Sequence, residues 1–132
     1  MERVAAELEA IGPPGQGLLG PRGFDDRVPR SPVVRLLPLF DTYLMGYVSR
    51  SHAVDDAGER VILPGGGMLR PTICVDGRFV GTWSRKNGKD AVAITLEPFG
   101  RIDERWMPAI EREAADIARF DGYSESSVTG SA

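Results

Sequence analysis

The sequence predicts an α+β fold that is mainly β: an antiparallel meander or small β-barrel with a C-terminal helix packed on it. Three observations point there. Two turn dipeptides, Asp76-Gly77 and Asn87-Gly88, separate short β-prone runs. Sixteen Gly and ten Pro in 132 residues favour strands joined by turns over a helical bundle. From Ile102 to Ile117 an apolar residue returns every three or four positions, the period of a helix with one buried stripe.

Taken in order, residues 1–32 are expected to hold a short mixed segment at Arg3–Glu9, a strand or ragged helix. GPPGQGLLGPRG follows, with a short strand at Gly17–Leu19, and a Pro-rich linker then ends at Pro32. Residues 33–121 are expected to be the β-rich domain with its helix. Val33–Phe40 is an apolar run that Pro38 interrupts, suited to a buried or edge strand. Asp41 caps a short helical turn at Thr42–Tyr47. Thr72–Val75 turns through Asp76-Gly77 into Arg78–Ser84, where Phe79, Gly81 and Trp83 alternate with Val80 and Thr82. The return strand leads through the turn Lys86-Asn87-Gly88-Lys89 into Ala91–Leu96, completing a three-stranded meander.

In the closing helix, residues 103–121, the stripe is Ile102, Trp106, Ile110, Ala114 and Ile117. Asp103 is the expected N-cap, Gly122 the stop, and Pro108 shifts or bends the first turn. Trp83 and Trp106 are both expected to be mostly buried. Residues 122–132, rich in Ser, Thr and Gly without periodicity, read as a disordered tail.

Composition narrows the function. Hydrophobic residues at 42% and charged ones at 27% are ordinary for a soluble globular domain. Cys74 has no disulfide partner, the N-terminus is too acidic for a signal peptide, and no apolar run reaches membrane-span length. A cytoplasmic protein is expected, without contact to a membrane. A net charge of −3 is not the overall footprint of a free-standing DNA binder. The one local basic concentration is Arg85, Lys86 and Lys89, whose expected place at a hairpin tip makes them the nucleic-acid-binding candidates.

The remaining reactive residues carry little chemistry. His52 is the single histidine, and Ser51 beside it in sequence does not make a catalytic pair. Cys74, between Ile73 and Val75, reads as a small buried hydrophobe. One Cys and one His cannot build a zinc site without carboxylates, so no metal and no cofactor are expected. Pro64-Gly65-Gly66-Gly67 lacks the Lys-Ser/Thr of a phosphate loop and reads as a place where the backbone turns sharply or passes close to another element. Asp55, Asp56 and Glu59 read as solvated loop charges.

The stretch Leu36–Lys89 orders an apolar run, FDTYLMGY, an Arg-Ser pair, PGGG, an RPT strand start and a hairpin with GTW and a basic turn. From about Val33 to Phe120 this resembles the C-terminal part of the bacterial winged-helix DNA-binding family that contains the AlkZ/YcaQ-type DNA glycosylases. The resemblance implies tandem winged helices followed by a small β-rich domain. It places residues 1–32 at the remnant of the preceding domain and makes the chain a truncated, split or stand-alone C-terminal piece. In that family a Gln-x-Gln or Gln-x-Asp motif positions the attacking water. Here the only glutamine is Gln16, followed by Gly17 and Leu18. The resemblance therefore implies an accessory, DNA-repair-associated module that is not itself an enzyme. Its implied partners are DNA, held weakly through the backbone, or a winged-helix partner chain. The alternative is a small structural or protein-interaction β-domain without nucleic-acid binding.

Overall fold

The structure, a computed structural model, describes residues 8–10, 19–23 and 32–130. The chain divides into two units, Met1–Arg30 and Ser31–Ala132. In the first, Leu8–Ala10 (β1) pairs antiparallel with Leu19–Pro21 (β2), Leu8 lying opposite Pro21. The strand expected at Gly17–Leu19 begins outside the described residues, as does most of the segment expected at Arg3–Glu9.

The second unit is a curled half-barrel sheet of five strands in the order β3-β4-β5-β6-β7. These are Val34–Leu37 (β3), Thr72–Val75 (β4), Arg78–Asn87 (β5), Ala91–Pro98 (β6) and Glu125–Gly130 (β7). The first four form an antiparallel meander, and β7 joins β6 in parallel. Three helices accompany the sheet: Thr42–Met45 (α1), Asp56–Ile62 (α2) and Met107–Asp121 (α3). β3 stops before Pro38, which has no N–H to give a ladder. Its free edge is occupied by α3, where Glu113 accepts the Leu36 N–H at 3.2 Å and pairs with Arg35. A carboxylate on an edge N–H blocks pairing with a foreign strand.

Asp103 caps a 3-10 turn, Glu104–Trp106, which runs into α3 with Pro108 in the first helical turn, where no intrahelical donor is lost. Gly122, in the left-handed conformation, ends the helix. Ile110, Ala114 and Ala118 bury against Val34, Leu36, Ile73, Trp83, Val92, Ile94 and Leu96. On the opposite face, α1 and α2 with Leu69 cover Cys74 and Phe79. Here the structure departs from strict alternation in the hairpin. Cys74 pairs with Phe79 and Ile73 with Gly81, so Val80 is an extra residue in β5. A bulge reverses which face the following residues take. Phe79 thus joins the α1–α2 core, whereas Gly81 and Trp83 face α3.

Two further expectations are corrected. Asp55, Asp56 and Glu59 are helix residues, not loop charges: Asp55 caps α2 through the Gly58 N–H at 2.8 Å, and Glu59 pairs with Arg50 at 3.2 Å. A seven-residue helix of mixed polarity carries almost no periodic signal, and its cap supplies what periodicity does not. Residues 125–130 of the expected disordered tail form β7. The exposed edge of β6 offers that segment a complete hydrogen-bonding partner, and Val128 packs against the main core. Both tryptophans are mostly covered, as expected: Trp106 packs partly exposed against the core, and Trp83 is buried and donates from Nε1 to the Leu37 carbonyl at 2.9 Å.

Two glycine sites are dictated by the backbone. Gly65, Gly66 and Gly67 all have positive φ, 107°, 63° and 75°, which gives the PGGG element the sharp turn closed by Met68 N–H on Gly65 O. At Gly81 a Cβ would lie 2.6 Å from the Pro98 Cα and 2.7 Å from the Glu97 carbonyl oxygen. Replacing Trp83 with Ala is expected to cost about 3 to 5 kcal/mol in urea unfolding, as deletion of a buried large aromatic does. The partly exposed Trp106 is expected to cost less. Gly81→Ala is expected to destabilise by about 1 to 3 kcal/mol through strand displacement, read in the same titration. A melt indistinguishable from the native one would contradict the close approach of β5 and β6.

Candidate nucleic-acid interface

The three candidate cations leave the sheet in different directions. β5 extends to Asn87, which pairs with Val92, so the connection is Gly88-Lys89-Asp90, closed by Gly88 N–H on Ala91 O at 2.8 Å. This differs from the two-residue Asn-Gly turn, because Asn87 continues the ladder. Arg85 is therefore a strand residue on the α3 face. Its guanidinium lies 2.6 Å from the Asp121 carboxylate and donates from Nε to Asn87 Oδ1 at 3.0 Å. That ion pair ties the hairpin to the last turn of α3. Lys86, one residue on, faces the other side opposite Ala93, and Lys89 is exposed in the connection. The structure brings Lys86 and Lys89 to solvent and commits Arg85 to the fold. Asp90 and Glu125 stand close to the same end of the sheet, with Ser124 and Glu125 N–H groups both on Asp90 O.

Lys86 does not stand alone on its face. Over β5, β6 and β7 the outer side carries Ser84, Thr95, Ser127 and Thr129, all exposed, with Thr95 Oγ1 3.5 Å from Thr129 Oγ1. The α1–α2 layer covers only the β4–β5 part of that side. What is left is a sheet surface of hydroxyls beside one lysine, groups that contact phosphate oxygens without reading sequence. The serines and threonines of β7 were hidden from sequence reasoning because nothing in ESSVTG marks a strand.

The other reactive residues are accounted for by their surroundings. The Ser51 hydroxyl is 3.1 Å from that of Ser49, and His52 packs on Tyr47 and Tyr43. Burial pushes the Cys74 thiol up, with the nearby Asp41 and Asp76 carboxylates adding to the shift, so the sulfur stays a thiol. Burial likewise raises the Tyr43 phenol, whose hydroxyl donates to Gly77 O at 2.9 Å. Among the described residues no three His, Cys, Asp or Glu side chains gather closely enough to hold a metal ion. No helix of the described residues is long and apolar enough to cross a membrane.

Hydrogen bonds from the Arg105 side chain and backbone N–H hold the Asp103 carboxyl well below its ordinary 3.8, at about 2. A depressed carboxyl pKa contributes stability that is complete above the unfolded value and is lost as pH falls through the folded one. The Asp103 cap is therefore expected to persist below pH 3.8 and to release near pH 2. A carboxyl carbon titration by NMR checks this, and a midpoint at the ordinary value would contradict the Asp103–Arg105 contact.

With this geometry in view, the comparisons with known proteins are specific. The family described as "DNA glycosylase AlkZ-like" matches residues 2–120. The chain is 32% identical over 92 residues to the interstrand DNA cross-link repair glycosylase of Streptomyces sahachiroi, across 69% of this chain and 24% of that protein. The solved structure of Streptomyces sahachiroi DNA glycosylase AlkZ superposes with a TM-score of 0.60 at 28% identity, covering 74% of this chain and 26% of that one. The chain thus spans about a quarter of the length of these relatives.

Proposed function

Because the chain belongs to the AlkZ-like DNA glycosylase family, we propose that it is a DNA-repair-associated module. It contacts the DNA backbone and leaves base excision to other polypeptide. The observation that carries this reading is the family match over residues 2–120 in a sequence whose only glutamine is Gln16. The Gln-x-Gln or Gln-x-Asp that would position a hydrolytic water has no counterpart here. Nor do the described residues gather a base, nucleophile or metal set in one place: His52 lies among aromatic rings and Cys74 is a buried thiol. A glycosylase must enclose an extruded nucleotide, which calls for a deep basic surface. The outer side of β5–β7 presents exposed hydroxyls beside Lys86, which suits phosphate contacts.

Binding through Lys86 and Lys89 is weak and salt-sensitive. Arg85 neutralises Asp121 and is withheld from the ligand, and Asp90 and Glu125 oppose the two lysines. The same features support the second reading, a structural or protein-interaction domain that has kept the fold and not the nucleic-acid role. A cytoplasmic setting fits both, since Cys74 is free and buried.

Duplex affinity measured against salt is expected to give a log–log slope of about −2 for two phosphates. Lys86→Ala with Lys89→Ala is expected to flatten it without changing the melt. Arg85→Ala is expected to act the other way, lowering stability by up to about 1 kcal/mol through loss of the Asp121 ion pair, with little effect on the slope. An unchanged slope in the double variant favours the second reading. In a separate assay the purified chain is expected to release no base from alkylated or crosslinked duplex. Release above background that a single substitution abolishes would overturn the non-catalytic reading.

A further inference from the structure

The loop between β3 and α2 carries a surface that the phosphate contacts do not use. Tyr47, 49% exposed, and the exposed His52 stand with ring centroids 4.7 Å apart and planes tilted by 55°, so neither ring seals the face of the other. Tyr43 lies behind both, edge-on at 5.8 Å to Tyr47 and 6.0 Å to His52. It is itself fixed by an edge contact to buried Phe79 at 5.3 Å and by its hydroxyl on Gly77 O. Arg50 pins the loop from beneath, donating to Leu44 O at 2.6 Å and pairing with Glu59. The two outer rings are therefore held on a rigid backing with open π-faces.

We infer that the exposed ring faces of Tyr47 and His52 form a stacking site for an unpaired nucleobase. This deepens the DNA reading above and rests on it. Three observations select a base over other occupants. The first is size. Leu39, Phe40, Met45, Tyr47 and Val48 are the exposed large apolar side chains of this loop, and together they offer on the order of 500 Å². A stable protein interface buries about 800 Å² per partner, whereas one or two planar rings need only a ring face each. The second is charge. Asp41 is the one acid between Pro38 and Val54, and its carboxylate is engaged by the Tyr43 N–H at 2.8 Å. Asp76, in the neighbouring turn, accepts the Val33 N–H. Both carboxylates nearest the rings are thus engaged by backbone N–H groups. The third is chemistry: every base has a π-face, and exposed rings with serine hydroxyls at Ser49 and Ser51 beside them suit a ligand that is flat, apolar on its faces and polar at its edges.

The test is fluorescence anisotropy of the full chain with a short oligothymidylate strand and with the corresponding duplex, across salt. The single strand is expected to bind about tenfold or more tightly than the duplex. Tyr47→Ala and His52→Ala are each expected to lower single-strand affinity about tenfold and to leave the salt slope and the thermal melt unchanged, while Tyr47→Phe retains binding. Lys86→Ala with Lys89→Ala is expected to change the slope and keep the single-strand preference. Duplex binding with no preference for the single strand overturns the stacking site and leaves the backbone-contact reading standing. A preference that survives Tyr47→Ala also overturns it. Failure of both strands to bind overturns both readings, and self-association that Tyr47→Ala abolishes assigns the surface to a second copy of this chain.

Discussion

Everything else in the second unit hangs on the contact between α3 and the concave face of the sheet. Ala109, Ala114 and Ala118 keep the helix close to the strands, and Ile110 fills the space between Val34, Ile73, Val92, Ile94 and Leu96. Small residues on a helix face allow this close approach at the cost of apolar area per residue, so the sheet supplies the bulk: Trp83, five β-branched strand residues, Leu36 and Leu96. The Trp83 indole reaches across to the β3 carbonyl of Leu37, binding the first strand of the meander to the third by a side-chain hydrogen bond as well as through β4. Glu113 and Arg85–Asp121 extend the same contact to its rims, one at the β3 edge and one at the β5–β6 hairpin.

That contact also sorts the charges. The guanidinium that opens the basic run is drawn to the helix side because its position in β5 has the same parity as Trp83. Its neighbour, one residue later, has the opposite parity. Two-residue periodicity in a strand therefore splits Arg85 from Lys86, and the helix terminus collects the arginine. A cluster that is compact in sequence becomes one structural ion pair and two solvent-exposed ammonium groups.

The opposite face of the sheet depends on a smaller and more local core. Leu44, Ala53, Val54 and Ile62 hold α1 and α2 over Cys74 and Phe79, and the bulge at Val80 is what lets Phe79 point there. Because this layer ends over β5, the outer side of β6 and β7 stays open, and the loop from Leu39 to His52 carries its exposed rings on a firm base. Thr72, buried with no partner for its hydroxyl, lies on this side of the sheet as well, and nothing in the structure explains it.

How much of this was legible follows from which forces act over short range. The Asp76-Gly77 turn, the break at Pro38, the caps at Asp41 and Asp103 and the stop at Gly122 are local conformational preferences, and the stripe from Ile102 to Ile117 is a local period; all are readable from neighbouring residues. The bulge at Val80, the helix at Asp56–Ile62 and the strand at Glu125–Gly130 are not, because each is stabilised by partners far along the chain. ESSVTG is a strand only because β6 presents an unfilled edge, and Phe79 changes face only because β4 and β5 are one residue out of step. The basic run was visible as residues but not as a site, since the direction of each side chain depends on where the ladder ends. The aromatic cluster needed the fold altogether, for Tyr43, which backs Tyr47 and His52, meets Phe79 only when the loop closes over the sheet. The sequence by itself determined the elements that local chemistry governs; pairing across the chain decided their faces, and with them which charged and aromatic groups reach solvent.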